Sequence, residues 1–160
     1  MNNLVLIGFM GSGKGTIGRI LARKTGRFFL DADALIESFA NRSIAEIFSS
    51  DGEKTFRDEE RSLAAWLAQS VNNAVIAAGG GMPTVCDNLR AIGEVIYLKC
   101  DFDVILTRLK CDSEREKRPL AASIETLSDR FNARQILYER AADRVIDATQ
   151  SVEAIVKEIV

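Results

Sequence analysis

The sequence predicts an α/β fold: a three-layer arrangement in which one five-stranded parallel sheet carries helices on both faces. Three observations predict it. Runs of strand length recur at 4–8, 27–31, 74–78, 95–99 and 144–147. Helical patterns separate each consecutive pair, which demands right-handed crossovers and so parallel neighbours. The first run, "LVLIG", passes straight into the glycine-rich "GFMGSGKGT" of 8–16 and then into a helix. The chain has 160 residues and no internal repeat, linker or low-complexity stretch, so it reads as a single domain over 1–160.

Each element has its own local reason. The first strand is apolar throughout and ends at glycine, as a strand buried on both faces does. The next helix is expected to start near Lys14, with Ile17, Ile20 and Leu21 on one face, and to stop at Gly26. "RFFLD" is the second strand and ends on an acid. "ADALIESFA" and "SIAEIFSS" are short helices; Ser43 with Glu46 forms a capping box at the start of the second. "GEKTFRDEERSLAAWLAQSV" is a longer helix with an apolar stripe of Phe56, Leu63, Leu67 and Val71. "AVIAA" is the third strand and ends at Gly79, Gly80 and Gly81. "VIYLK" is the fourth, after a short segment at 84–92, and "DVILTRL" is helical. The interval of about 111–122 is charged, carries Pro119 and is expected to be an irregular, mobile lid. Residues 123–142 return to helix and "RVID" is the fifth strand. Val152, Ile155, Val156, Ile159 and Val160 mark the apolar face of the last helix.

Composition excludes several classes of function. The formal net charge is -2, so no global basic field exists to hold nucleic acid. There is no histidine, which removes His triads, His general bases and His metal sites. Cys86, Cys100 and Cys111 form no C-x-x-C pair and read as reduced thiols of a cytoplasmic protein. No signal peptide and no apolar run long enough to span a bilayer is apparent.

The chemistry-bearing motifs lie where the strands end. Gly8, Gly11, Gly13 and Gly15 let the backbone wrap an anion with its amides inward, and the following helix dipole adds to this. Lys14 would reach the β- and γ-phosphates. The pattern G-x-x-x-x-G-K-[ST] puts a magnesium-ligating hydroxyl after the lysine; here Gly15 stands there and the hydroxyl comes one step later, at Thr16. In "DAD", Asp31 and Asp33 sit where ligands bind in open α/β sheets, although an aspartate there also suits helix capping. In "FRDEE", Glu60 falls inside the apolar stripe and needs a partner. Arg57, three residues back, can supply it and be held rigid in return. The glycine triplet 79–81 makes sense where a ligand lies against bare backbone. Arg115, Lys117 and Arg118 crowd a segment that could close over a triphosphate. Arg134 and Tyr138 share a helix face, and arginine suits a bidentate grip on a carboxylate.

In this order, "GFMGSGKGT", "DAD", "FRDEE", "GGG", "REKRPL" and "RQILY" resemble the shikimate kinases, P-loop small-molecule kinases similar in fold to nucleoside monophosphate kinases. The resemblance spans positions 8 to 138 and implies the sheet order 2-3-1-4-5. It implies transfer of the ATP γ-phosphoryl to the 3-hydroxyl of shikimate, within chorismate and aromatic amino acid biosynthesis. It implies that Gly11, Ser12, Gly13, Lys14, Gly15 and Thr16 bind ATP, with Gln150 near the adenine and Arg118 on the phosphates. Asp33 would hold the substrate hydroxyls and help deprotonate the attacking one. Arg57 and Arg134 would bind the carboxylate, with Glu60 behind Arg57. Gly80, with Gly79 and Gly81, would meet the ring hydroxyls through backbone, and the region of about 32–61 would form the shikimate side. Mg2+ is the implied cofactor, organised by Asp31 through water. The enzyme would be a cytoplasmic monomer with no nucleic-acid or membrane partner. Gly15 and Ala78 depart from the family pattern, which has hydroxyl residues at both places, so weaker magnesium binding is expected. Adenylate kinases also carry "GKGT". The alternatives are another small-molecule or nucleotide kinase, or a magnesium-impaired ATP-binding relative.

Overall fold

The computed structural model describes residues 2–111 and 123–160. Its strands are β1 (Asn3–Ile7), β2 (Phe28–Asp31), β3 (Ala74–Ala77), β4 (Gly93–Lys99) and β5 (Arg144–Asp147). All neighbours pair in parallel, in the order β2-β3-β1-β4-β5. This is the five-stranded parallel sheet, and the order, that the sequence led us to expect. The central strands β1 and β3 are buried along their whole length, which is why they read as unbroken apolar runs. Strand β2 lies at the sheet edge and leaves Phe28 largely exposed.

The helices around the sheet are α1 (Lys14–Thr25), α2 (Ala32–Ala40), α3 (Ile44–Ser50), α4 (Gly52–Ser70), α5 (Met82–Val85), α6 (Phe102–Cys111), α7 (Ile124–Ala141) and α8 (Val152–Ile159). The short segment before β4 holds α5 and a 3-10 turn at Leu89–Ala91. Of the lid expected at about 111–122, Cys111 ends α6, and residues 112–122, with Arg115, Lys117 and Arg118, lie outside the described residues. Gly26 caps α1 in the left-handed region at φ 67°, its N–H reaching back to the carbonyls of the last turn. Ser43 and Glu46 form the expected capping box on α3.

The apolar residues of α1 are not buried alike. Ile20 is 41 % exposed, and the buried face runs instead through Ile17, Gly18, Leu21 and Ala22. The cause is Gly18, whose bare Cα receives the Phe29 ring, so that no Cβ would fit there. The helix approaches β2 along the Gly18 side and turns Ile20 outward.

Two cores result. The main one lines the sheet. A smaller one, Ile36, Ile47 and Phe56 with Phe48 packed on it, joins α2, α3 and α4. Phe48 and Phe56 rings lie 5.0 Å apart. This satellite core fixes α2 and α4 relative to each other, and both carry candidate site residues.

Candidate active site

Residues 8–16 bend tightly between β1 and α1. Gly11 and Gly13 take φ of 79° and 96°, which side-chain-bearing residues rarely adopt. Gly13 precedes α1 without any side-chain cap, so the first-turn amides are left to an anion. Lys14 Nζ donates to the carbonyls of Gly8 at 2.7 Å and Phe9 at 3.0 Å, folding across the loop. Ser12 is fully buried, and its hydroxyl lacks a hydrogen-bond partner. It packs under the loop against Gly8, so what Ser12 offers a phosphate is its backbone.

Arg108, on α6, was not singled out from the sequence. Its Nη2 donates to the Ala148 carbonyl at 2.7 Å, and its Nη1 to the carbonyls of Gly11 at 3.4 Å and Ser12 at 3.3 Å. It therefore ties the phosphate loop to the segment after β5. An arginine in "LTRLK" carries no local signal of this; only the crossover brings α6 over the loop.

On the other side, Asp31 ends β2 and caps α2, accepting from the Asp33 N–H at 3.1 Å and the Ala34 N–H at 3.3 Å. Strand end and helix cap are thus one residue, and the cap places Asp33 in the first turn of α2. Arg57 donates from Nη1 to Glu60 Oε2 at 2.7 Å and from Nη2 to Glu53 Oε1 at 3.0 Å. The Arg57–Glu60 pair is the one expected; the Glu53 contact, one turn earlier on α4, was missed although i, i+4 spacing permits it. Arg57 and Arg134 are both 9 % exposed, and Arg134 lies over the Phe9 ring, 5.9 Å from its centroid.

The glycine triplet organises these side chains. A Cβ on Gly79 would come within 2.6 Å of Asp33 Oδ1 and 3.0 Å of Glu60 Oε1. One on Gly80 would stand 3.6 Å from Arg134 Nη1, and one on Gly81 would strike the Arg57 guanidinium. The bare backbone was expected to make room for a ligand. At Gly79 and Gly81 it makes room for the protein's own acids and arginine.

Burial sets the electrostatics here. It pushes the Glu60 carboxyl above the usual carboxylate range, against the pull of Arg57, and the nearby Asp33 charge adds to the rise. Glu60 Oε1 is buried with no partner. Burial also lowers the Arg134 pKa. It raises the Tyr138 phenol to about 12, partly offset by the adjacent Arg134 charge, so Tyr138 remains a donor.

A cavity of about 660 Å³ joins much of this. Its walls include Gly11, Ser12, Gly13, Lys14, Gly15, Thr16, Asp31, Asp33, Gly80 and Gln150. Arg57, Glu60, Gly79, Gly81 and Arg134 are not on that wall; they meet it through the glycine segment. Gln150 is exposed and already bonds the Asp147 carbonyl at 3.3 Å and Glu158 at 3.2 Å. Among the described residues no group of three His, Cys, Asp or Glu side chains could hold a metal. Asp31 and Asp33 are the carboxylates on the cavity wall, Gly15 and Ala78 offer no hydroxyl, and the Arg19 guanidinium stands 3.1 Å from where a Gly15 Cβ would be. That donor set suits an ion that keeps most of its waters and takes its other ligands from phosphate, as magnesium does.

The shikimate kinase family model matches residues 10–160. A shikimate kinase of Helicobacter hepaticus is 45% identical over the whole of this chain and 95% of its own. One of Geobacter sulfurreducens is 42% identical, over 98% of this chain and 88% of its own. The solved shikimate kinase from Acinetobacter baumannii in complex with shikimate superposes with a TM-score of 0.89 at 33% identity, over 99% of this chain and 90% of that one. With the sheet order, the phosphate loop and the arginine-lined glycine segment in place, these likenesses carry one conclusion: the chain belongs to the shikimate kinase family.

Proposed function

We propose that the chain transfers the γ-phosphoryl of ATP to the 3-hydroxyl of shikimate, giving shikimate 3-phosphate and ADP, a step of aromatic amino acid biosynthesis. The observation that carries this reading is the continuity of the site. One cavity runs from the phosphate loop to Asp33 and Gly80, and two buried arginines stand directly behind that glycine segment. A small acceptor with hydroxyls at one end and a carboxylate at the other fits those chemistries.

Phosphoryl transfer asks for positioning and charge neutralisation rather than a strong nucleophile, which a chain without histidine can supply. In this reading the amides of Gly11 to Thr16 and the Lys14 ammonium take the phosphates. Asp33 accepts the proton of the attacking hydroxyl. Arg57, braced by Glu60 and Glu53, and Arg134 hold the carboxylate, while Gly79, Gly80 and Gly81 meet the hydroxyls through backbone. Arg118, outside the described residues, is assigned to the phosphates by the family resemblance, and Gln150 to the adenine side. Asp31 would hold Mg2+ through water; when bound, the ion neutralises charge on the phosphate oxygens. The whole chain then works as one kinase unit: phosphate loop 8–16, acceptor side at about 32–61, lid at about 111–122. We further infer a cytoplasmic monomer. No helix among the described residues is long and apolar enough to cross a membrane.

Coupled ADP release with shikimate, AMP and gluconate as acceptors tests the reading. Turnover with shikimate alone is expected. Equal or faster turnover with AMP or gluconate would assign the chain to a different kinase reaction.

A further inference from the structure

The glycine segment after β3 has an anchor that the roles above do not use. The Tyr138 hydroxyl donates to the Gly80 carbonyl at 2.6 Å. Tyr138 is fully buried in α7, with its ring 5.2 Å from that of Tyr97. The neighbouring carbonyls are held locally: Gly79 by the Met82 N–H at 3.0 Å, Gly81 by the Thr84 N–H at 2.9 Å and its hydroxyl at 2.6 Å. Of the three, only Gly80 is held by a side chain from a distant element.

The same helix face addresses Gly80 twice. Arg134 lies one turn before Tyr138, with its Nη1 3.6 Å from where a Gly80 Cβ would be. Three consecutive glycines have wide conformational freedom, so their order must come from outside. In a trans peptide the carbonyl and the following N–H point in opposite directions, and the described chain has no cis bond. Holding the Gly80 oxygen therefore also aims the Gly81 N–H away from Tyr138. A phenylalanine would fill the same apolar space beside Tyr97. A buried hydroxyl costs free energy unless it is bonded, and here its bond goes to the site.

We propose that Tyr138 is a positioning residue for the acceptor. It sets the Gly80–Gly81 peptide at a fixed spacing from Arg134, so that the backbone that meets the hydroxyls and the guanidinium that meets the carboxylate act as one unit. The proposal rests on the reading that this segment and Arg134 bind shikimate.

The test is Tyr138→Phe, which keeps the ring and its packing, with Tyr97→Phe as the control for losing a buried hydroxyl from the same aromatic pair. Three quantities are measured: steady-state kinetics, calorimetric shikimate affinity and ligand-free amide exchange. For Tyr138→Phe, KM and Kd for shikimate should rise about tenfold, the size of one lost hydrogen bond. KM for ATP should stay within about twofold, and the amides of 80–82 should exchange faster while those of β3 do not. Tyr97→Phe should leave shikimate affinity unchanged. A variant that melts earlier but keeps wild-type shikimate KM and unchanged exchange at 80–82 would overturn the proposal, as would an equal rise in both KM values. Failure of the underlying reading looks different: the wild-type protein itself would not use shikimate, and the exchange arm would still report on Tyr138.

Discussion

Arg57 occupies the space that a side chain at Gly81 would need: its Cζ lies 2.6 Å from where a Gly81 Cβ would stand. Gly81 has an ordinary φ of -92°, so the glycine is required for room and not for backbone shape. The guanidinium is held in that room by Glu60 and Glu53.

Gly81→Ala should therefore displace Arg57 without straining the backbone. A shift of about 1 Å in a substrate-gripping group costs roughly 100-fold, so kcat/KM for shikimate should fall by that order. ATP affinity, measured separately, should stay within about twofold. Equal losses for both substrates would mean that Gly81 matters for the whole fold instead.

Glu60 predicts a pH dependence of stability. Its folded pKa is raised, chiefly by burial, so the folded state binds its proton more tightly than the unfolded state does. The favourable term is then complete below the unfolded pKa and is lost as pH rises through the folded pKa. Glu60→Gln should flatten the melting temperature across that window, above the ordinary glutamate range. It should also loosen Arg57 and raise KM for shikimate. Identical melting profiles for the two proteins would contradict the assignment.

The missing hydroxyl at position 15 predicts a metal phenotype. Gly15→Ser would restore a ligand, and the obstruction is the tip of Arg19, an exposed side chain able to swing away. The magnesium concentration for half-maximal turnover should drop severalfold, and magnesium should strengthen binding of a fluorescent ATP analogue more than in the wild type. No change in either measurement would show that Gly15 does not limit the metal.

Arg108 links the loop carbonyls of Gly11 and Ser12 to that of Ala148. Arg108→Met removes these bonds but keeps the apolar stem. Kinetics should show KM for ATP raised about tenfold with shikimate affinity intact. A change confined to shikimate would place the function of Arg108 elsewhere.

Much of this was legible in the sequence, for local reasons. Strand runs, the capping box, the phosphate loop and the Arg57–Glu60 spacing are all short-range patterns. What escaped depends on crossovers. Arg108 meets the loop from 97 residues along the chain, and Ile20 turns outward because Phe29, from another element, takes the space at Gly18. The glycine triplet was visible as a candidate site, but the reason for its bare backbone was only half legible. Which side chains fill the space beside each glycine is set by how α2, α4 and α7 converge on β3.

The central claim is that buried Arg57 and Arg134 read a carboxylate beside a hydroxyl-binding backbone. Comparing shikimate with its carboxamide as acceptor, at saturating ATP, tests it most directly. The account predicts that kcat/KM for the carboxamide falls by about 100-fold or more, because Arg134 and Arg57 lose the negative charge of the acceptor. Equal kcat/KM for the two acceptors would contradict it.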